Sequence, residues 1–135
     1  MNGNIFIDTN ILVYTYSVTE PAKQAIARNI ILAGQNYVST QVLQELANTL
    51  NKKFKIDWVQ INEVLAECST NLNVYINTEY TISQACIIAD RYKYSFYDSL
   101  IISAALQTNS NILYSEDMQH GHLIEGKLKI CNPFV

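Results

Sequence analysis

Short runs of apolar residues alternate along the chain with longer segments in which apolar positions recur every three or four residues. The short runs contain β-branched and aromatic residues, which is typical of strands buried inside a parallel sheet. The longer segments have the spacing of amphipathic helices. This pattern predicts five strands, at residues 4–7, 37–39, 73–76, 111–114 and 128–131.

The intervening segments carry residues that typically start and end helices. Pro21 lies just inside a predicted helix that Gly34 ends. The predicted N-caps of three further helices are Ser39 or Thr40, Asp57 and Thr78. The helix after Thr78 is expected to turn Ile82, Ala85, Cys86 and Ala89 inward, and the nearly all-apolar helix at residues 98–107 is expected to be buried on most sides.

Strands that alternate with helices predict an α/β fold, with a parallel sheet of about five strands flanked by helices in three layers. The length of 135 residues fits one domain, and only four Gly and two Pro occur, so no flexible linker is indicated. We therefore predict a single domain spanning residues 1–135. The N-terminus does not resemble a signal peptide, and no apolar stretch reaches the length of a membrane span.

Composition limits the classes of protein that fit. The three cysteines are widely spaced and form no Cys-x-x-Cys pair, which favours reduced thiols in a cytoplasmic protein over a disulfide framework or a zinc site. The formal net charge is −3, from nine basic and twelve acidic residues. That charge argues against strong nonspecific binding to nucleic acid but leaves a phosphate substrate open.

Four acidic residues stand where predicted strands end or helices begin: Asp8, Glu45, Asp98 and Asp117. The carboxyl ends of strands in an open α/β sheet line one crevice, which is where ligands bind. Carboxylates that converge there repel one another unless a cation neutralises them. Oxygen ligands without supporting His or Cys indicate Mg²⁺ or Mn²⁺.

Each of these carboxylates also has a structural interpretation. Asp8 and Asp98 are placed to cap the helices that follow them. Glu45 lies beside the apolar stripe of its helix with no Lys or Arg at helical spacing, so it needs either a bound cation or access to water. Either Glu116 or Asp117 is placed to face the crevice.

Other features carry weaker signals. Lys52, Lys53 and Lys55 form the basic cluster of the chain and would either complement a helix dipole or contact an RNA backbone. The pair His120 and His122 lacks a third ligand, which favours a surface turn over a metal site. The tyrosines that would either stack on bases or pack in the core are Tyr14, Tyr92, Tyr94 and Tyr97.

The chain resembles PIN-domain proteins, and specifically the VapC-type toxins of toxin–antitoxin pairs. The resemblance covers essentially the whole chain. Its motifs are Phe-Ile-Asp-Thr-Asn at residues 6–10, the helical Glu45, Tyr-Asp-Ser-Leu-Ile at residues 97–101, and Ser-Glu-Asp-Met-Gln at residues 115–119.

The resemblance implies a parallel sheet flanked by helices and an acidic pocket that binds one or two Mg²⁺ or Mn²⁺ ions. It implies RNA cleavage, a homodimer, and silencing by a cognate antitoxin. By position, Asp8, Glu45, Asp98 and Asp117 match the acidic pattern of the family, which favours Asp117 over Glu116. The matching polar supports are Thr9, Asn10 and Ser115.

Two alternative functions remain open at this point. A phosphomonoester hydrolase would use Asp8 as its nucleophile, but such chemistry usually needs a second acid two residues later, where this chain has Asn10. A non-catalytic binding module would keep the fold and use the groove only to hold a partner. The retention of all four acidic residues favours an enzyme.

Overall fold

The computed structural model describes residues 3–135, and its elements follow the predicted alternation of strands and helices. The predicted domain also includes residues 1 and 2, which lie outside the described residues. In chain order the elements are β1 (Asn4–Ile7), α1 (Thr9–Tyr14), α2 (Pro21–Leu32), β2 (Asn36–Ser39), α3 (Thr40–Lys52), α4 (Trp58–Asn71), β3 (Asn73–Tyr75), α5 (Glu79–Tyr92), α6 (Phe96–Gln107), β4 (Ser110–Tyr114), β5 (Leu123–Ile124) and β6 (Leu128–Cys131).

The strands form a single sheet in the order β3-β2-β1-β4-β6-β5. All neighbouring pairs are parallel except β5, which pairs with β6 in antiparallel orientation. The predicted α/β fold with a mostly parallel sheet flanked by helices is therefore confirmed. The described residues contain six strands rather than about five, because β5 adds a two-residue strand at the edge.

The path of the chain reverses at β1. From β1 it moves outward through β2 to β3, and then crosses back to place β4 on the other side of β1. The carboxyl ends of β1 and β4 therefore flank the point at which the connections diverge, which is where open α/β sheets form a ligand crevice. The register pairs Ile7 with Tyr114, the last residues of the two strands, so β1 and β4 end at the same level of the sheet.

The predicted caps at Ser39, Asp57 and Thr78 are confirmed. Their side chains accept hydrogen bonds from the backbone N–H groups of Val42, Gln60 and Thr81, respectively. On α6, all residues from Ser99 to Ala105 are buried, as the apolar pattern predicts. No helix within residues 3–135 combines the length and the apolar character needed to span a membrane.

Two local predictions are wrong. Helix α6 begins at Phe96 rather than at Asp98, because the side chain of Ser95 accepts the N–H of Asp98 and caps the helix. Helix α5 buries Thr81 and Ala85, whereas the expected inward residues Ile82 and Cys86 are exposed. Thr81 can be buried because its hydroxyl bonds to the Tyr75 hydroxyl at 2.9 Å and accepts the backbone N–H of Thr78 at 3.0 Å.

Candidate active site

Four carboxylates that are distant in sequence line one pocket at the carboxyl edge of the sheet. The pocket has a volume of about 310 Å³ and is open on one side to solvent. Its lining residues are all polar or charged, and none is Lys or Arg: Asp8, Thr9, Asn10, Glu45, Asn48, Thr49, Asp98 and Asp117. A concentration of negative charge with no cation among the lining residues is unfavourable by itself and favours binding of a positive ligand.

Asp8 is the most deeply buried of the four and sits directly after β1. Its Oδ1 accepts the backbone N–H of Thr9 at 2.7 Å, and its Oδ2 accepts the hydroxyl of Ser115 at 2.9 Å. Burial, helped by the charges of Glu45 and Asp98, raises the pKa of Asp8 to about 6 against the opposing effect of these two hydrogen bonds. Asp8 therefore does cap α1, as its position allows, while carrying a charge that the fold disfavours.

Glu45 reaches the pocket from α3 and is half-buried. Its Oε1 accepts the hydroxyl of Thr9 at 2.5 Å, and its Oε2 accepts the side-chain N–H of Gln41, one helical turn earlier, at 3.2 Å. Thr9 thus links the first two carboxylates of the site, because its backbone N–H donates to Asp8 and its hydroxyl donates to Glu45. Neither partner of Glu45 carries a positive charge. Its half-buried carboxylate at the open pocket is compatible both with a bound cation and with access to water.

Asp98 enters the pocket from the first turn of α6. Ser95 caps that helix, so the capping interpretation of Asp98 is wrong and its carboxylate is free to face the pocket. Burial raises the pKa of Asp98, as do the charges of Asp117 and Glu45, while a hydrogen bond with Ser95 lowers it. The carboxylates are therefore close enough to influence one another electrostatically.

The structure separates the two adjacent acids after β4. Asp117 lines the pocket, and its Oδ2 accepts the side-chain N–H of Asn10 at 2.6 Å. Glu116 instead accepts the hydroxyl of Tyr14 at 2.7 Å and forms a 2.5 Å ion pair with Lys23. Burial alone would raise the pKa of Glu116, but the hydrogen bonds from Lys23 and Tyr14 lower it below its ordinary value.

Several residues that the sequence singled out lie outside the pocket. Lys52, Lys53 and Lys55 are exposed around the C-terminal end of α3. His120 and His122 have different partners: His120 accepts the backbone N–H of Asn132 at 2.9 Å, and His122 bonds to the Tyr94 hydroxyl at 2.8 Å. The two imidazoles thus belong to a turn around Gly121, whose φ is +85°.

Three polar residues of α3 take part in the site without having been predicted. Asn48 and Thr49 line the pocket, and Gln41 holds Glu45. Their sequence signal was available, because residues three or four positions from Glu45 share its helix face. The signal is weak because uncharged side chains carry no distinctive metal-binding or catalytic pattern.

The donor set of the pocket fits a hard divalent cation. Its charged groups are all carboxylates, and the neutral groups offer hydroxyl and amide oxygens. Within residues 3–135, however, no three acidic, histidine or cysteine side chains form a compact metal-binding cluster. Mg²⁺ does not require such a cage, since it usually keeps several waters and binds the protein through one or two carboxylates.

Solved structures share this fold. The VapC20 toxin of Mycobacterium tuberculosis, which cleaves the sarcin-ricin loop, matches with a TM-score of 0.69 and 21% identity over 84% of this chain and 90% of that one. A toxin–antitoxin complex from Klebsiella pneumoniae matches with a TM-score of 0.72 and 17% identity over 96% and 98% of the two chains. VapBC2 of Rickettsia felis, bound to promoter DNA, matches with a TM-score of 0.67 and 18% identity over 95% and 98%.

No curated protein sequence matches the chain at a significant level. The identities to the solved structures are low, so these similarities establish the fold alone. The model of the PIN-domain family, by contrast, matches residues 5–123, which include all four pocket carboxylates. The chain therefore belongs to the PIN-domain family.

Proposed function

We propose that the protein is a metal-dependent endoribonuclease and the toxin of a type II toxin–antitoxin pair. The observation that carries this proposal is the convergence of Asp8, Glu45, Asp98 and Asp117 on one pocket that no Lys or Arg lines. A cluster of oxygen ligands at the edge of an α/β sheet suits the metal-assisted hydrolysis of a phosphodiester. Membership of the PIN-domain family and the likeness to toxin structures support the same function.

The metal proposed for this pocket is Mg²⁺ or Mn²⁺. Asp8 and Asp98 would hold it directly, and Glu45 and Asp117 would hold it directly or through water. A bound divalent cation supplies positive charge that makes water more acidic and stabilises the charge developing on a phosphodiester.

The residues around the carboxylates would fix them in place. Ser115 and the N–H of Thr9 hold the two oxygens of Asp8, and Asn10 holds Asp117. Such support matters because partners of metal-binding carboxylates orient the ligands and tune affinity. Asn48 and Thr49 lie at the same pocket wall and could donate hydrogen bonds to phosphate oxygens of the substrate.

The partners proposed for the chain are an RNA substrate, a cognate antitoxin and a second copy of itself. The antitoxin is supported by structural neighbours that are toxin–antitoxin complexes. The homodimer follows from the family likeness. Lys52, Lys53 and Lys55 are exposed and remain our proposal for contacts with the RNA backbone.

The geometry disfavours the phosphomonoester hydrolase. Such an enzyme would use Asp8 as its nucleophile and would need an acid close by to protonate the leaving group. The residue two positions later, Asn10, is an amide that donates to Asp117 and has no proton to give to a leaving group.

Cleavage of structured RNA, including tRNA, by the purified protein would test the proposal. Reactions would contain Mg²⁺ or Mn²⁺, with EDTA as a control, and would compare the wild type with Asp98→Asn. Asp90→Asn is the matched control, because Asp90 is an exposed carboxylate on α5 that does not line the pocket. We expect metal-dependent cutting that Asp98→Asn abolishes and Asp90→Asn retains.

Calorimetry with Mn²⁺ separates the alternatives when no RNA is cut. Mn²⁺ binding that Asp98→Asn weakens would support the metal site and point to a narrower target. A folded protein that neither binds Mn²⁺ nor cuts RNA would favour the non-catalytic binding module. Cutting by Asp98→Asn at the wild-type rate would overturn the assignment of Asp98.

A further inference from the structure

Gln41 joins the two helices that carry Glu45 and Asp98. It lies in the first turn of α3 and is buried, with only 5% of the residue exposed. Its Nε2 donates to Glu45 Oε2 at 3.2 Å, within the same helix, and to the backbone carbonyl of Tyr97 on α6 at 3.1 Å. One amide nitrogen therefore contacts a carboxylate of the pocket and the residue directly before another, and we call this pair of hydrogen bonds the Gln41 bridge.

The orientation of the Gln41 amide is fixed by its neighbours. The Glu45 carboxylate and the Tyr97 carbonyl can only accept hydrogen bonds, so the amide oxygen would be repelled if it took the place of the nitrogen. The amide nitrogen carries two hydrogens and can satisfy both acceptors at once. The Gln41 bridge therefore uses the whole donor capacity of the side chain.

The peptide group between Tyr97 and Asp98 is held at both of its polar atoms. Gln41 donates to its carbonyl oxygen at 3.1 Å, and Ser95 Oγ accepts its N–H at 3.2 Å. Because a peptide group is planar and rigid, these two contacts fix the backbone from which the Asp98 side chain extends. The Gln41 bridge thus ties the position of Asp98 to that of Glu45.

Stability alone does not account for an amide at this position. Gln41 Oε1 is buried and accepts no hydrogen bond from the described residues, which is unfavourable. The Tyr97 carbonyl lies in the first turn of α6, where it has a partner in the helix, and Glu45 lines a pocket that is open to solvent. An apolar side chain of similar size would remove the unsatisfied oxygen and leave a partner or water for both acceptors. The amide therefore favours a role in the site over a role in the fold.

A tether between two carboxylates affects the size of the cation that they bind. Burial raises the pKa of Asp98, and the nearby charges of Asp117 and Glu45 raise it too, so these carboxylates repel one another. Mg²⁺ needs ligands at about 2.0–2.1 Å in nearly regular octahedral geometry, whereas Ca²⁺ accepts ligands at about 2.3–2.6 Å in flexible arrangements. A tether that opposes the separation of Glu45 and Asp98 therefore favours the smaller ion.

We propose that Gln41 is a positioning residue that holds Glu45 and Asp98 together, so that the pocket selects Mg²⁺ or Mn²⁺ over Ca²⁺. This inference rests on the proposed metal-dependent function and adds the determinant of metal selectivity to it. Gln41 does not line the pocket, so it acts through the two carboxylates rather than on the metal or the substrate.

Cation binding in the absence of RNA tests the proposal. Mn²⁺ binding to the purified protein would be titrated by calorimetry, and the affinities for Mg²⁺ and Ca²⁺ would be measured by competition with Mn²⁺. Gln41→Met removes both hydrogen bonds and keeps an unbranched side chain of similar volume, and Gln41→Leu repeats the removal with a different shape. Gln44→Met is the matched control, because Gln44 is exposed on the same helix and lies outside the pocket.

We expect Gln41→Met and Gln41→Leu to weaken the binding of Mn²⁺ and Mg²⁺ about tenfold, which is typical of losing a partner of a metal ligand. Binding of Ca²⁺ should weaken less than about threefold, because Ca²⁺ tolerates a wider site. Gln44→Met should match the wild type for all three cations. Urea unfolding in EDTA should show Gln41→Met to be at least as stable as the wild type.

Other outcomes separate the inference from the function on which it rests. Unchanged affinities in both Gln41 variants, or an equal loss for all three cations, would overturn the selectivity role and leave the metal-dependent function intact. A large fall in the urea midpoint of Gln41→Met in EDTA would overturn it as well, because the Gln41 bridge would then serve the fold. A wild type that binds none of the three cations would overturn the proposed function and the selectivity role together.

Discussion

Replacing Asp8 by Asn should make the metal-free protein more stable at neutral pH, although it removes a residue from the centre of the site. Asp8 is buried, and its ordinary pKa of 3.8 is raised to about 6 by burial and by the charges of Glu45 and Asp98. The fold therefore favours the protonated form of Asp8. The uncharged amide of Asn has nearly the same shape as that protonated carboxyl and avoids the buried charge.

The size of the effect follows from the pKa. Between pH 3.8 and about 6 the folded protein binds a proton at Asp8 that the unfolded chain has lost, so stability falls as pH rises through this window. At neutral pH the wild type has lost about 3 kcal/mol from this residue. Rearrangement of the hydrogen bonds with Thr9 and Ser115 in the variant would cost about 1 kcal/mol, which leaves a net gain of about 2 kcal/mol.

Urea unfolding in EDTA, at a series of pH values from about 4 to about 7.5, measures the difference directly. The advantage of Asp8→Asn should be greatest at about pH 7.5 and should disappear near pH 4, where Asp8 is protonated in the folded wild type and little of the difference from the unfolded chain remains. Asp90→Asn, with its exposed side chain, should show no such trend. Adding Mn²⁺ at neutral pH should stabilise the wild type, by about 2.7 kcal/mol at a hundredfold excess over Kd, and should stabilise Asp8→Asn far less.

The reasoning would be refuted by a variant that is no more stable than the wild type at neutral pH in EDTA. An advantage of equal size at every pH would refute it too, because it would show that packing rather than charge is responsible.

Two further variants test the surroundings of the pocket. Lys23→Met should reduce kcat for RNA cleavage about tenfold while the protein stays folded, because Glu116 loses its cation and the neighbouring Asp117 loses a fixed position. Cleavage kinetics would measure this beside Asp117→Asn, whose kcat should fall further. An unchanged kcat in Lys23→Met would exclude the effect. Lys52→Ala should weaken binding of all RNA sequences alike and lower the slope of log K against log salt by about 1, as measured by anisotropy between about 50 and 200 mM salt. An unchanged slope would show that Lys52 makes no phosphate contact.

The parts of the fold that sequence could predict depend on strong, local patterns. Asp8 and Asp117 follow buried apolar runs, and the carboxyl ends of parallel strands meet at one edge of a sheet, so the approach of these two residues is predictable from the apolar pattern. The caps at Ser39, Asp57 and Thr78 follow from side chains that bond to nearby backbone groups.

The parts that sequence could not predict depend on particular contacts that the pattern of apolar residues does not encode. Strand β5 has two residues, too few for any periodicity, and forms only because β6 offers it a partner. Thr81 is buried because Tyr75 and Thr78 satisfy its hydroxyl, and an apolar pattern cannot show this. The choice between Glu116 and Asp117 was settled by Lys23 and Tyr14, which lie 93 and 102 positions away along the chain from Glu116.

The central pairing of β1 with β4 also determines when during synthesis the site can come into being. The contacts of Asp8 with Ser115 and of Asn10 with Asp117 each join residues that are 107 positions apart. The ribosome delivers Asp8 early, yet the last carboxylate of the pocket emerges only at residue 117. A nascent chain can therefore hold no complete pocket until β4 has docked, so any chemistry that needs all four carboxylates must wait until most of the chain has been made.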